Sequence, residues 1–276
     1  MNNLATIDAA SLDWLQDKSN FCFDCNTDVE TLRIEAKCPI YFIKSEAKQT
    51  KIQIIANSEY SDEVEVSEIF NKKTIKIKHY NFECEGLSIH NGNISITGSK
   101  TAIHIKGDEI LINGFFAGTI EQFKRSHSRE PKICIVVPGG LSLNIDAEIS
   151  GDFLSDVKFN NVEIVSSGKN VISFSAEEAC IDDQYGAKIT ANIDGGVFNV
   201  SSTGNGEIVA NGTYKKIIAT LSDKASLKSD GICNGNYSIN ASDDTIIEHN
   251  GVINGETRKR LSGNSTANLP KGGNDQ

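Results

Sequence analysis

An apolar residue recurs every 19 positions in the C-terminal half of the chain, at Ile189, Ile208, Leu227 and Ile246. The residues two positions after the first three are also alike, being Ala191, Ala210 and Ser229. A fixed period near 20 residues is typical of a solenoid, because one coil cannot bury its inward face and must stack on the next coil. The sequence therefore predicts that the four apolar side chains form one buried column.

Short runs of alternating apolar residues precede this repeat. Each run places two side chains on the same face of a strand, and Gly, Asn, Asp and Ser separate the runs as turn residues. The runs are Leu32/Ile34, Ile40/Phe42, Ile52/Ile54, Val64/Val66, Ile75/Ile77, Leu87/Ile89, Ile94/Ile96, Ile103/Ile105 and Ile110/Ile112. Strands spaced so closely leave no room for crossover helices. The predicted fold class is all-β, a parallel β-helix or β-solenoid.

The patterning divides the chain into five segments. We predict an N-terminal cap at 1–28, a β-repeat region at 29–118, a loop or boundary at 119–132, a β-helix with 19-residue repeats at 133–255 and a disordered tail at 256–276. Residues 7–18 carry a helical pattern, and a short helix there would cover the open end of the solenoid. The tail has too few apolar side chains to build a core.

The net charge indicates which partners the protein can bind, and the cysteines indicate its cellular compartment. The 37 acidic residues outnumber the 27 basic ones, for a net charge of -10, which disfavours binding to nucleic acid or to an anionic membrane. No stretch has the length and apolarity of a signal peptide or a spanning helix, so a cytoplasmic protein without membrane insertion is expected. Seven cysteines without a repeated spacing indicate reduced thiols.

Two segments resemble a bacterial family. They are LRIEAKCPIYFIKSEAKQTKIQIIANSEYSDEVEVSEIFNKKTIKIKHY at 32–80 and ICIVVPGGLSLNIDAEISGDF at 133–153, and both are similar to domains of the DUF4097/DUF2807 type, the auto-transporter adhesin head GIN domain group. The resemblance covers about residues 29–255. It implies a right-handed β-helix and transfers no functional residue to this chain.

Cys22 and Cys25 form a CxxC, a spacing that suits a zinc ion or a redox pair. A structural zinc site needs two further ligands, and Cys38, His79 and Cys84 could supply them only through the fold. We interpret the two cysteines as incidental thiols and predict no metal and no cofactor.

The pairs Asp182-Asp183 and Asp243-Asp244 invite comparison with sugar-cleaving β-helix enzymes, in which two carboxylates divide the acid and base steps. Adjacent residues of a strand point to opposite faces, however, and Asp in a turn commonly bonds its own backbone. Asp194-Gly195-Gly196 occurs once, without the array of a calcium-binding repeat. We interpret all of these as turn residues.

The histidines and basic clusters complete the candidate site residues. The histidines are His79, His90, His104, His127 and His249, and the basic residues are Lys124-Arg125, Arg129 and Arg258-Lys259-Arg260. The histidines are too scattered to indicate a triad. The basic residues could contact an acidic partner or a phosphate, but a solvated loop and tail suffice to explain them in an acidic chain.

These observations favour a non-enzymatic scaffold or protein-binding module that engages another protein or copies of itself, since a solenoid offers a long rigid face. The alternative is a carbohydrate-active β-helix enzyme, which would require several carboxylates from successive coils on one face. We assign no catalytic, cofactor-binding or metal-ligating residue.

Overall fold

The computed structural model describes residues 15, 20–25, 27–45, 50–56, 64–69, 74–79, 87–90, 93–96, 103–106, 109–112, 115–119 and 132–270. The chain forms two compact units, Met1–His79 with Lys132–Gln276, and Tyr80–Pro131. The regular structure of the described residues is β-strand, with only Leu15 in a 3₁₀ conformation. The helix predicted at 7–18 otherwise lies outside the described residues.

The described residues of the first unit form nineteen strands. They are β1 (Phe21–Cys25), β2 (Thr31–Ala36), β3 (Ile40–Lys44), β4 (Ile52–Ala56), β5 (Val64–Ile69), β6 (Thr74–His79), β12 (Ile133–Val137), β13 (Asn144–Ile149), β14 (Phe153–Ser166), β15 (Val171–Asp183), β16 (Lys188–Asp194), β17 (Val197–Ser202), β18 (Glu207–Tyr214), β19 (Lys216–Leu221), β20 (Ser226–Cys233), β21 (Tyr237–Ala241), β22 (Ile246–Ile253), β23 (Thr257–Leu261) and β24 (Thr266–Asn268).

The second unit contains a hairpin and a three-stranded antiparallel sheet. The hairpin pairs β7 (Leu87–His90) with β8 (Asn93–Ile96). In the sheet, β10 (Glu109–Ile112) lies between β9 (Ile103–Lys106) and β11 (Phe115–Thr119).

The strands of the first unit stack in two columns. Each coil of the solenoid supplies one strand, or one half of a long strand, to each column. Column A runs β24-β22-β20-β18-β16, then through the first halves of β15 and β14 to β3-β12-β4-β1. Column B runs β23-β21-β19-β17, then through the second halves of β15 and β14 to β13-β2-β6-β5. Pairing is parallel except around β4 and between β5 and β6. This is a β-solenoid of about seven turns, and its right-handed sense stays a prediction.

The predicted apolar column is confirmed for three of its four members. Ile189, Ile208 and Leu227 are directly paired and buried, but the next residue in the column is Ile247, whereas Ile246 is 53% exposed. The register advances 19 residues from Tyr214 to Cys233 and 20 from Ile217 to Tyr237. The extra residue lies in the turn 234–236, and because side chains alternate along a strand, a one-residue shift moves Ile246 to the outward face.

The prediction of a disordered tail from residue 256 is wrong for the described part of that segment. Strand β23 pairs along its length with β21, and β24 pairs with β22. Only Thr257 of β23 is buried, so main-chain hydrogen bonds to the preceding coil order this segment, with little help from apolar burial. Residues 271–276 lie outside the described part of the chain.

Candidate functional site

The first acidic pair closes a turn at the end of β15. Asp182 is exposed, whereas Asp183 is fully buried. The Asp183 carboxylate accepts hydrogen bonds from the backbone N–H groups of Gly186 at 3.1 Å and Ala187 at 3.0 Å, and from the Ser202 hydroxyl at 2.7 Å. The buried charge is therefore satisfied by donors from its own turn and from the next coil.

The second acidic pair belongs to a ladder of turns. Asp223 accepts a hydrogen bond from the N–H of Gly204 at 3.0 Å, and its own N–H donates to Asp243 at 3.4 Å. The Asn264 amide donates to Asp244 at 2.8 Å. Asp223 and Asp243 have positive φ, which Asp tolerates better than most residues. These carboxylates tie each turn to the next, as the Asp183 carboxylate also does through Ser202.

The two cysteines of the CxxC lie on opposite faces of β1, with Cys25 buried and Cys22 exposed. Partial burial, and then the charge of Asp24, raise the pKa of Cys22, so its thiol stays protonated at neutral pH. Among the described residues, no group of three His, Cys, Asp or Glu side chains is placed to hold a metal ion.

The remaining sequence candidates are dispersed. His79, His90 and His104 lie in β6, β7 and β9. His127, Lys124, Arg125 and Arg129 lie outside the described residues, as does Cys84.

His249 belongs to a buried polar cluster in the last coils. Its side chain is 4% exposed, and its Nδ1 lies 2.9 Å from the Ser229 hydroxyl, which lies 2.9 Å from the Tyr237 hydroxyl. The Tyr237 and His249 rings meet edge to face at 5.3 Å. Within the described part of the chain, Nε2 of His249 has no hydrogen-bond partner. The alignment of Ala191, Ala210 and Ser229 was the signal for this cluster, because His249 is the next residue of that inward row.

The stability of the protein should fall at mildly acid pH because of His249. Burial lowers the pKa of this imidazole, with a smaller opposing effect from the Val252 backbone and Asp230. The unfolded chain, with a His pKa of about 6.5, then binds more protons than the folded chain as the pH falls below that value. Between about pH 7.5 and about pH 5.5, the melting temperature of the wild type should fall further than that of His249→Phe. An equal fall of the melting temperature in both proteins would show that His249 does not cause the loss of stability.

The two terminal strands of column B carry opposite charge, although Arg258 bonds Glu256 at 2.9 Å and Glu65 lies opposite Lys78 of β6. At one end β23 contains Arg258, Lys259 and Arg260, and at the other end β5 contains Glu65 and Glu68. Among the described strands, β23 pairs only with β21, and β5 pairs only with β6. Each strand therefore has an outer edge that no described strand covers.

An inward row of column B ends uncovered at β23. Leu221, Ala241 and Leu261 are successive members of this row, and the first two are buried. Leu261 is 43% exposed, because no described strand lies beyond it. Lys259 takes the inward position above Ile239. Sequence reasoning placed these residues in a disordered tail and so missed this surface, which we call the β23 edge (residues 257–261).

Comparison with known proteins gives distant structural neighbours only. No family model matches the chain, and no curated protein matches it. A candidate lipid-binding protein from Parabacteroides distasonis aligns with a TM-score of 0.43 and 12% identity over 91% of this chain and 96% of that chain. A candidate adhesin from Bacteroides fragilis aligns with a TM-score of 0.39 and 12% identity over 92% and 97%. A candidate adhesin from Parabacteroides merdae aligns with a TM-score of 0.34 and 11% identity over 91% and 95%.

The resemblance to the DUF4097/DUF2807 group stays a prediction, because no family model supports that group. Within the described residues, no helix has the length and apolarity to span a bilayer.

Proposed function

We propose that the protein is a non-enzymatic scaffold that associates with copies of itself end to end, with the β23 edge of one copy pairing with β5 of the next. The observation that carries this proposal is the opposite charge of the two terminal strands of column B. Arg258 and Arg260 are exposed on β23, and β5 contains Glu65 and Glu68 in an otherwise acidic chain.

Pairing of the two ends would extend column B through the contact. The outer edge of a strand presents a row of backbone N–H and C=O groups that can bond another strand. A strand added beyond β23 would also cover Leu261. Because the two surfaces differ, the contact is heterologous, and repetition of it gives open chains of molecules.

Charged residues on an edge strand also have an ordinary use, which is to prevent pairing with other chains. The two explanations differ in their prediction for this protein. Protective charges would keep the protein monomeric at every ionic strength, whereas complementary ends would associate more strongly at low salt, where the Debye length is long.

Sedimentation velocity over a range of protein concentrations, at low and high salt, tests the proposal. Two double variants are needed, Arg258→Glu with Arg260→Glu, and Glu65→Lys with Glu68→Lys. Each should associate at least about tenfold more weakly than the wild type, because its two ends then carry like charge. An equimolar mixture of the two variants should associate again, since every contact between unlike copies restores a pair of opposite charges.

The matched control for the arginine variant is Lys215→Glu with Lys228→Glu, which makes the same change of net charge on exposed residues of inner coils. This variant should associate like the wild type. Wild-type protein that stays monomeric at low salt, or a mixture of edge variants that stays dissociated, would refute the proposal.

A further inference from the structure

A bulge in β14 opens a cleft on the solenoid. Leu154 pairs with Ser173, but Lys158 pairs with Ser175, so β14 has two extra residues between them. The buried Ser155 hydroxyl closes the bulge by accepting from Val157 N–H at 3.0 Å and by lying 3.0 Å from the Val157 carbonyl. Asp156 and Lys158 lie on the solvent-facing side of β14, and they alternate with the buried Ser155, Val157 and Phe159.

Four separate segments line this cleft. They are Lys44 at the end of β3, Pro138 with residues 140–142 after β12, residues 156–160 of β14, and Glu177 of β15. The cleft has a volume of about 360 Å³. That volume lies within the range of roughly 300–1,000 Å³ found for small-molecule sites.

Carboxylates outnumber ammonium groups in and beside the cleft. Its walls contain two lysines, Lys44 and Lys158, and two carboxylates, Asp156 and Glu177. Asp156 accepts the backbone N–H of Lys44 at 2.7 Å, and the Lys158 ammonium lies 2.6 Å from Asp194 and 4.0 Å from Glu177. Two ammonium groups and three carboxylates, including Asp194, therefore surround the cleft, which disfavours an anionic ligand and leaves acceptors for O–H donors.

The remaining hydrogen-bonding capacity suits hydroxyl groups. A carboxylate has about four acceptor sites, so Asp156, which accepts the Lys44 N–H, and Glu177 can also accept O–H donors. The Asn160 side chain and the Ser142 hydroxyl add both donors and acceptors to the walls. The half-buried Leu141 offers an apolar surface for the C–H face of a ring.

We propose that this cleft binds a neutral saccharide of one or two rings. The proposal is independent of end-to-end association, because the cleft lies at β3, β12, β14 and β15, inside the stack and apart from both terminal strands of column B.

Binding to an immobilised panel of neutral gluco-, xylo-, manno- and galacto-oligosaccharides tests the proposal, with uronic-acid oligosaccharides and short peptides as further arms. Glu177→Ala should weaken binding of a neutral sugar about tenfold, the effect of one lost hydrogen bond to a charged group. Ser142→Trp should abolish binding by filling the cleft. Glu178→Ala is the matched control, because Glu178 is the neighbouring exposed glutamate and does not line the cleft.

The wild type should bind at least one neutral sugar, and Glu178→Ala should bind like the wild type. The proposal is overturned if no neutral sugar binds, if only uronic-acid sugars or peptides bind, or if Glu177→Ala and Glu178→Ala have the same effect. Circular dichroism of each variant separates loss of binding from loss of the fold.

Discussion

Replacement of Ile208 by aspartate is expected to unfold the C-terminal coils. Ile208 is 1% exposed and lies between Ile189 and Leu227 in the core column. The substitution removes a buried apolar side chain, which costs roughly 2–5 kcal/mol, and places an unpaired carboxylate in its position. The total is of the same order as the whole stability of a typical domain, about 5–15 kcal/mol.

Val209→Asp is the matched control for this variant. Val209 is the next residue of β18, but its side chain points outward and is 36% exposed. The same new charge should therefore change the free energy of unfolding by about 1 kcal/mol or less. Urea unfolding followed by circular dichroism gives both values. Similar midpoints for the two variants would mean that the column does not form the core.

Gly231→Ala should destabilise the solenoid by several kcal/mol, because two costs act at one position. Gly231 has a φ of 117°, which L side chains rarely adopt. A Cβ there would also lie 1.9 Å from the carbonyl oxygen of Gly212 in the preceding coil. Backbone paired in two directions cannot move away without breaking hydrogen bonds to its neighbours.

Gly195→Ala separates the two costs. Gly195 has a φ of 98°, yet an added Cβ there meets no atom within 4 Å. Its expected cost is the backbone strain alone, about 1–3 kcal/mol. In thermal and urea unfolding, Gly231→Ala should be clearly less stable than Gly195→Ala. Equal losses would show that strain alone matters and that the coils can move apart at Gly231.

The sequence fixes the repeating unit, because a solenoid buries the same inward position once per coil. The spacing of Ile189, Ile208 and Leu227 was enough to predict a stacked all-β fold and its core column. It was not enough to detect a coil lengthened by one residue, although the spacing of Gly231 and Gly251 contains that information. Apolar periodicity also says nothing about strands held by main-chain bonds, so β23 and β24 were assigned to a disordered tail.

Which polar residues meet was decided only by the tertiary structure. The sequence correctly placed Asp243 and Asp244 in a turn, but Asp182 and Asp183 are the last residues of strand β15, and the donors that satisfy Asp183 include a serine one coil away. The β14 cleft brings together residues as distant as Lys44 and Glu177, and the opposite charges of β5 and β23 mark two ends only once the order of strands in column B is known. Short-range patterns determine the period and face of each strand, whereas the stacking order and the bulge depend on hydrogen bonds between segments far apart in the chain.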